Sequence, residues 1–240
     1  RTVVTVPSAI PWTEDAMIPW EHLDSATVPG TETELHLHRR GDDFSIRVDG
    51  LELMTSRVHG SEEALAELAC EPIAKRTKPV VLVGGLGMGY TLAAALARLG
   101  PDARVEVAEL VPEVVEWNRG PLAHLAGRPL DDPRTDVRNV DIAKLLQSSR
   151  GAYDAIMNDV DNGPDGIILP KNRWLYSPPG LEATRKALRR GGVLTVWSVA
   201  PLMGFTDRLW KAGFKAKEIR VKDTGRPKGR RHVIWVAINP

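Results

Sequence analysis

The stretch Val80-Val81-Leu82-Val83-Gly84-Gly85-Leu86-Gly87-Met88-Gly89-Tyr90 decides the predicted fold. It opens with a short continuous apolar run, which is typical of a strand buried in the middle of a parallel sheet. The glycines that follow allow a tight turn and let a ligand approach the backbone closely. A helical pattern then begins at Tyr90. We therefore expect a nucleotide-binding loop between a strand and a helix, with the cofactor-binding candidates Gly84, Gly85, Gly87 and Gly89.

The spacing of these glycines indicates which ligand to expect. Gly85, Gly87 and Gly89 follow the pattern Gly-x-Gly-x-Gly rather than Gly-x-Gly-x-x-Gly. Such a loop does not have to seat a pyrophosphate, which favours an S-adenosylmethionine-like ligand over a dinucleotide. The alternative is a close strand–helix turn that binds no ligand. The strand before the loop and the helix after it favour the ligand.

Downstream of the loop, short apolar runs alternate with helical patterns. This alternation requires parallel strands joined by right-handed crossovers, whereas the last two strands form an antiparallel hairpin. The predicted fold class is α/β, a Rossmann-like class I methyltransferase fold with a mostly parallel seven-stranded sheet and a terminal antiparallel hairpin. The predicted strands are residues 80–83, 105–108, 137–140, 155–157, 193–199, 217–221 and 232–238.

Upstream of the loop, the pattern is that of a small antiparallel β-sheet. Apolar and polar residues alternate in residues 35–38 and 44–48, and Asp49-Gly50 is a strong hairpin signal. The first thirty residues carry several prolines, which predicts an irregular lead-in. We therefore expect two domains: residues 1–60 with the lead-in and the small sheet, and residues 61–240 with the S-adenosylmethionine-type domain and its leading helix.

The composition limits the expected partners and location. Lys plus Arg number 32 and Asp plus Glu 31 in 240 residues, a formal net charge of +1, so we expect neither nucleic acid nor a membrane as partner. Cys70 is the only cysteine, and the six histidines show no metal-ligand spacing. No apolar run reaches the roughly 20 residues that span a bilayer, and no secretory signal is recognisable. The expectation is a cytoplasmic protein without a metal.

Acidic residues follow three of the predicted strands, at the edge where parallel sheets bind ligands. Glu109 is placed to accept both hydroxyls of an adenosine ribose, or it is an ordinary acid before the helix that starts at Pro112. Asp141 is placed to meet the adenine amino group, to cap the following helix, or to do both. Asp159 ends the fourth strand and is aimed at the reacting end of the ligand, and its alternative role is turn formation.

The loop after the fourth strand is the predicted substrate-binding segment. Its acids and amides suit a cationic substrate or a sulfonium, although Asp, Asn, Gly and Pro are also turn residues. Two aromatic residues further along either close over a substrate and exclude water or pin the loop to the body of the protein. The substrate-binding candidates are Asp161, Asn162, Trp174 and Tyr176.

These features together resemble the spermidine synthase family of aminopropyltransferases. The likeness extends over about residues 44–192 and includes the small sheet, the glycine loop and Tyr153-Asp154. The resemblance implies that Glu109 binds the ribose, that Asp141 lies on the adenine side, and that Asp159 binds and deprotonates the attacking amine. It also implies decarboxylated S-adenosylmethionine as co-substrate, a small-molecule amine as acceptor, and a homodimer built with the N-terminal sheet.

The sequence departs from the family at several of these positions. The family's glycine loop is Gly-Gly-Gly-Asp-Gly-Gly, and Gly87 stands where that acid binds the amine of decarboxylated S-adenosylmethionine. Glu62-Glu63-Ala64 replaces the family's Tyr-His-Glu in the preceding helix. The second acid of the substrate loop falls on Asn162, with Asp161 beside it. The resemblance therefore indicates a divergent member of the family. The residues expected to form the fold and the nucleoside pocket match the family better than the residues expected to carry the polyamine chemistry.

The leading hypothesis is a spermidine synthase-like transferase. It would bind S-adenosylmethionine or decarboxylated S-adenosylmethionine and transfer an aminopropyl group to an amine by in-line displacement, with Asp159 as the catalytic residue. The alternative is an S-adenosylmethionine-dependent methyltransferase with the same pocket. A second alternative is a non-catalytic nucleoside-binding or scaffold protein. In that case, the catalytic activity was lost together with the missing family residues.

Overall fold

Two β-sheets organise the part of the chain that the computed structural model describes, residues 18–160, 163–164, 170–222 and 231–240. The smaller sheet consists of β1 (Glu21–Thr27), β2 (Glu34–Arg40), β3 (Asp43–Val48) and β4 (Leu51–Thr55). The larger sheet consists of β5 (Val80–Gly84), β6 (Arg104–Glu109), β7 (Thr135–Asn139), β8 (Tyr153–Asn158), β9 (Leu188–Ser198), β10 (Lys215–Lys222) and β11 (Arg231–Ile238).

The larger sheet has the strand order β10-β11-β9-β8-β5-β6-β7. Strands β9, β8, β5, β6 and β7 are mutually parallel, and β11 is antiparallel to both of its neighbours. This arrangement confirms the predicted fold class, including the terminal antiparallel hairpin. The chain reverses its direction of strand addition at β5, which has β6 on one side and β8 on the other. Open α/β sheets bind ligands at such a switch point, beyond the carboxyl ends of the strands.

Helices cover both faces of this sheet. Val81 and Val83 of β5 point into a core shared with the first three helices, whereas Leu82 points into a core shared with the last three. Alternate side chains of a strand lie on opposite faces, so the continuous apolar run of β5 fills both cores, as predicted for a central parallel strand. The helices are α1 (Gly60–Cys70), α2 (Tyr90–Arg98), α3 (Pro112–Arg119), α4 (Ile142–Ser148), α5 (Pro178–Ala187) and α6 (Phe205–Lys211).

The smaller sheet packs against the larger domain through its apolar face. Its buried residues Leu35, Leu37, Phe44 and Ile46 belong to the same hydrophobic cluster as α1, α2 and α3. The Trp117 indole on α3 also donates a hydrogen bond of 2.7 Å to Asp24 on β1. The small sheet is therefore continuous with the core beneath the glycine loop.

Strand β1 lies in a region that we expected to be irregular, so this part of the lead-in prediction was wrong. Its sequence alternates poorly, and a bulge between His22 and Asp24 shifts its register against β2. A bulge breaks the period-two pattern on which strand recognition depends. Residues 1–17 lie outside the described residues.

A second difference concerns the end of α5. The residue pattern of 181–190, followed by Gly191-Gly192, predicts a helix that continues to residue 190. In the structure, α5 ends at Ala187 and β9 begins at Leu188. Both glycines lie inside β9, where the backbones of Gly191 and Gly192 exchange hydrogen bonds of 2.7 and 2.9 Å with Asn239. The C-terminal Asn239 thus pairs with the two glycines as part of the strand. Within the described residues, no helix is long and apolar enough to cross a membrane.

Candidate functional site

The glycine loop between β5 and α2 has backbone conformations that favour glycine. Gly85, Gly87 and Gly89 have φ angles of 85°, 53° and 83°. A Cβ atom on Gly85 would lie 2.5 Å from the backbone oxygen of Asp159, so the loop also packs tightly against the end of β8. This close packing explains Gly85 whether or not a ligand binds. The loop lies at the switch point of the sheet, which is the position expected for a ligand-binding loop.

The loop is held on its other side by α3 and β4. The Asn118 side chain donates a hydrogen bond of 2.8 Å to the carbonyl oxygen of Gly87. A Cβ atom on Gly87 would lie 2.8 Å from the terminal methyl of Met54 and 3.1 Å from its sulfur. The half-buried Met54 side chain therefore lies over the position where the family carries an acid.

Glu109 at the end of β6 is tied into the same loop. One carboxylate oxygen accepts a hydrogen bond of 2.8 Å from the Leu86 amide, and the other accepts one of 2.9 Å from the Val111 amide. Burial raises the pKa of Glu109, and the backbone hydrogen bonds oppose that shift. Each carboxylate oxygen can accept more than one hydrogen bond, so Glu109 retains acceptor capacity for ribose hydroxyls. Its role in ribose binding stays a prediction.

Asp141 caps α4. Its side chain accepts a hydrogen bond of 2.9 Å from the Ala143 amide, which satisfies one of the free amides in the first turn. This capping role is one of the two roles expected from the sequence. The adenine contact is compatible with the cap because a carboxylate has a second oxygen, and it stays a prediction.

Asp159 follows β8 directly and lies beside the glycine loop. Its backbone amide donates a hydrogen bond of 3.0 Å to the Gly84 carbonyl, which extends the pairing of β5 and β8 by one residue. Its side chain accepts a hydrogen bond of 2.6 Å from the Thr91 hydroxyl on α2. Burial raises the pKa of Asp159 from 3.8 to about 6, while the Thr91 hydrogen bond lowers it. A carboxyl group with such a pKa can gain and lose a proton close to neutral pH.

Two described segments that flank Asp159 carry no charged side chain. Residues 84–92, which form the loop and the start of α2, include no Asp, Glu, Lys, Arg or His, and neither do residues 193–203 at the end of β9. These segments offer the carboxylate no cation to offset the solvation that it loses on burial, which agrees with the direction of its pKa shift. Within the described residues, no group of acids, histidines and cysteines is arranged to hold a metal ion.

The predicted substrate-binding residues lie in different environments. Asp161 and Asn162 lie outside the described residues. Trp174 is half-buried in a 3-10 helix at Pro170–Tyr176. Tyr176 is buried and packs edge-to-face on Phe205, with ring centroids 6.1 Å apart. The position of Tyr176 supports the alternative in which this aromatic residue pins the loop to the body.

Two polar residues near Asp159 were missed by the sequence reasoning. Thr91 is buried and bonded to the Asp159 carboxylate, and Asn158 is buried at the end of β8. Neither amide atom of the Asn158 side chain has a hydrogen-bond partner among the described residues. A polar residue directly after the apolar run Ala155-Ile156-Met157 was the available signal for Asn158. Thr91 gave no comparable signal, because threonine is common in the first turn of a helix.

Several solved structures are similar in fold. A spermidine synthase from Thermotoga maritima matches with a TM-score of 0.72 and 20% identity over 91% of this chain and 73% of its own. A spermidine synthase in complex with the transition state analogue AdoDATO matches with a TM-score of 0.71 and 20% identity over 91% of this chain and 72% of its own. A precorrin-6y C5,15-methyltransferase from Geobacter metallireducens matches with a TM-score of 0.51 and 15% identity over 72% of this chain and 87% of its own.

The sequence itself gives a more specific assignment than these structures do. No curated protein matches it. The model of the spermine/spermidine synthase domain family, however, matches residues 59–204, which is more than half of the chain. The matched segment begins beside α1 and includes the glycine loop, Glu109, Asp141 and Asp159. This chain therefore belongs to the spermine/spermidine synthase family.

Proposed function

We propose that this protein is an aminopropyltransferase-like enzyme that transfers an aminopropyl group from decarboxylated S-adenosylmethionine to a small amine. The observation that carries the proposal is the position of Asp159. It combines a place at the switch point of the sheet, contact with the glycine loop and α2, and a pKa raised by burial to about 6. These are the properties of a general base that faces a bound ligand.

The reaction requires an uncharged amine, because an ammonium has no lone pair. The amine nitrogen attacks the aminopropyl carbon that is bound to the sulfonium sulfur. The new C–N bond forms as the bond between this carbon and sulfur breaks. The electron pair of that bond returns to sulfur and leaves a neutral thioether, methylthioadenosine. The ionised Asp159 accepts the proton that the attacking nitrogen loses. Proton transfer of this kind contributes about 10²–10⁴-fold, and in-line positioning of the two reactants contributes further.

The residues around the glycine loop fit the nucleoside part of such a ligand. The loop brings its backbone to the ligand side of the sheet, and Glu109 has acceptor capacity at the end of β6. In this proposal, Glu109 binds the ribose hydroxyls and Asp141 lies on the adenine side. Asp161, Asn162 and Trp174 would contact the amine acceptor. A homodimer in the cytoplasm is part of the same proposal.

One observation favours a methyltransferase as the second candidate. The loop has Gly87 instead of an acid, and Met54 fills the space above it. Without a carboxylate at this position, nothing in the loop repels the carboxylate of intact S-adenosylmethionine. In that case the same pocket would hold the intact molecule, and its methyl group would be transferred. A non-catalytic nucleoside-binding protein remains the third candidate.

Calorimetry with decarboxylated S-adenosylmethionine, S-adenosylmethionine and methylthioadenosine tests the proposal. We expect all three to bind, because they share the nucleoside that Glu109 and the loop recognise. Binding of none of them, by a protein that circular dichroism shows to be folded, would contradict the proposed pocket. Formation of S-adenosylhomocysteine from the intact molecule, with the methyl group transferred to an added acceptor amine, would favour the methyltransferase instead.

A further inference from the structure

We propose that Thr91 is a positioning residue for the catalytic carboxyl group, acting through the hydrogen bond from its hydroxyl to Asp159. The inference rests on the proposed function in one respect, the assignment of Asp159 as the base. Its physical content, the control of one carboxyl group by one hydroxyl group, can be measured without any turnover.

The geometry supports a specific contact rather than chance proximity. The Thr91 oxygen lies 2.6 Å from one carboxylate oxygen of Asp159, a short distance that is typical of a hydroxyl bonded to an ionised acceptor. Thr91 is only 3% exposed, so water does not readily replace its hydroxyl. In the first turn of a helix, threonine often bonds to the backbone. Here the hydroxyl instead crosses to the end of a strand 68 positions away in sequence.

The contact fixes the direction of the carboxyl group. Asp159 is anchored by its backbone through the Gly84 hydrogen bond, and its side chain is anchored by Thr91. With one oxygen occupied by the hydroxyl, the other oxygen is left to receive a proton from an acceptor amine. A carboxyl group held at both ends does not have to be oriented during the reaction, which reduces the entropic cost of reaching the transition state.

The contact also sets the protonation of Asp159. The titratable group on the adjoining loop and first turn of α2 is the Tyr90 phenol, whose pKa is raised to about 12 by burial, so it stays neutral at the relevant pH. Glu109 ends the neighbouring strand β6. As an acid, it cannot serve as the cation that would stabilise an ionised Asp159. The end of β9, residues 193–203, adds no charged side chain. Among the described residues, Thr91 supplies the hydrogen bond that stabilises the ionised form, and without it Asp159 would stay protonated to a higher pH.

The test compares the variants Thr91→Val and Thr91→Ser with the unmodified full-length protein. Valine keeps the shape of threonine and loses the hydroxyl, whereas serine keeps the hydroxyl. The pKa of Asp159 is measured by carbon NMR of protein labelled at aspartate carboxyl groups, with Asp159→Asn to assign the signal. We expect the pKa in Thr91→Val to rise by about one unit and the pKa in Thr91→Ser to stay close to that of the unmodified protein.

Thr184→Val is the matched control. Thr184 is a fully buried threonine on α5, and its hydroxyl bonds to the Gly180 carbonyl at 2.9 Å rather than to a carboxylate. This variant makes the same chemical change in a buried helix and should leave the pKa of Asp159 unchanged. If Thr91→Val does not fold, Thr91→Ala replaces it as the variant without a hydroxyl.

The two proposals can fail separately. An Asp159 pKa that does not rise when the Thr91 hydroxyl is removed would overturn the role of Thr91 and leave the proposed function standing. A pKa that rises in a protein without transferase activity would uphold the Thr91 contact and remove the proposed function. Where there is turnover, the acidic limb of kcat/KM against pH should move with the pKa in Thr91→Val and stay in place in Thr91→Ser and Thr184→Val.

Discussion

At the scale of single residues, Asp159 combines a proposed catalytic role with a cost in stability. Its folded pKa of about 6 lies above its ordinary value of 3.8. The protonated form is therefore favoured by folding, and the stability that it contributes is fully present below the ordinary pKa. This stability is lost as the pH rises through the folded pKa. At pH 8 the partly buried carboxylate is ionised and destabilises the fold.

The variant Asp159→Asn should therefore be more stable than the unmodified protein at alkaline pH. The amide has the same shape, can still accept the Thr91 hydrogen bond, and carries no charge. We expect its free energy of unfolding in urea to be about 1–3 kcal/mol higher at pH 8 and unchanged below about pH 3, where the acid is neutral in both the folded and the unfolded state. An advantage of the same size at both pH values would show that the charge of Asp159 is not the cause.

Glu109 has one observed role, in the backbone of the loop, and one proposed role, in ribose binding, and one substitution would remove both. Its carboxylate accepts the buried amides of Leu86 and Val111 as well as the proposed ribose hydroxyls. Glu109→Ala leaves those amides unpaired, so we expect the stability in urea to fall by about 1–3 kcal/mol. Calorimetry should show nucleoside binding weakened by a similar amount. Weakened stability with unchanged nucleoside affinity would confine Glu109 to shaping the loop.

At the scale of secondary-structure elements, strand β4 packs against the glycine loop through one side chain. Met54 on β4 lies against Gly87, so an aspartate at position 87 would displace its thioether. The double variant Gly87→Asp/Met54→Ala provides both the acid and the space. We expect calorimetry to show a shift in preference towards decarboxylated S-adenosylmethionine by about 1–2 kcal/mol, the value of one partly solvated charge pair.

Met54→Ala alone is the control for that double variant. It opens the same space without adding a charge, so it should not change the preference between the two forms of the ligand. A shift already present in Met54→Ala would mean that the space, not the charge, determines the preference. A strong preference of the unmodified protein for the decarboxylated ligand would place the recognition of its ammonium elsewhere.

The elements that could be predicted from the sequence are those with local patterns. The apolar run of β5 and the glycines after it follow directly from parallel-sheet and turn preferences, and the structure confirms both. Strand β1 could not be predicted because a bulge breaks its alternation. The end of α5 could not be predicted either, because the partner of Gly191 is Asn239, far away in the sequence. At this point, hydrogen bonding between residues far apart in the sequence overrides the local helix preference.

The candidate site was only partly predictable for the same reason. Glu109, Asp141 and Asp159 could be proposed from the sequence because each follows a predicted strand, and the parallel topology brings strand ends to one edge. The hydrogen bond between Thr91 and Asp159 joins two elements that are far apart in sequence, so no local pattern could indicate it. The burial of Tyr176 depends likewise on contact with α6.

At the scale of the whole molecule, the small sheet is the surface expected to form the homodimer. Its outer strands β1 and β4 have one neighbour each among the described residues, and Leu51 on β4 is 71% exposed. Exposed strand edges tend to pair or to be covered. We expect light scattering to give the mass of a dimer at micromolar concentration and above. A mass of one chain at all concentrations would contradict this assembly.

The central claim is that Asp159 serves as the base for the transfer of an aminopropyl group. The most direct measurement mixes the protein with decarboxylated S-adenosylmethionine and a diamine and follows methylthioadenosine by chromatography. We predict that methylthioadenosine and the aminopropylated amine appear in equal amounts. We also predict that Asp159→Asn lowers the rate by about 10²-fold or more while ligand binding survives. Unchanged turnover in Asp159→Asn, or binding of the ligand without any turnover in the unmodified protein, would contradict the account.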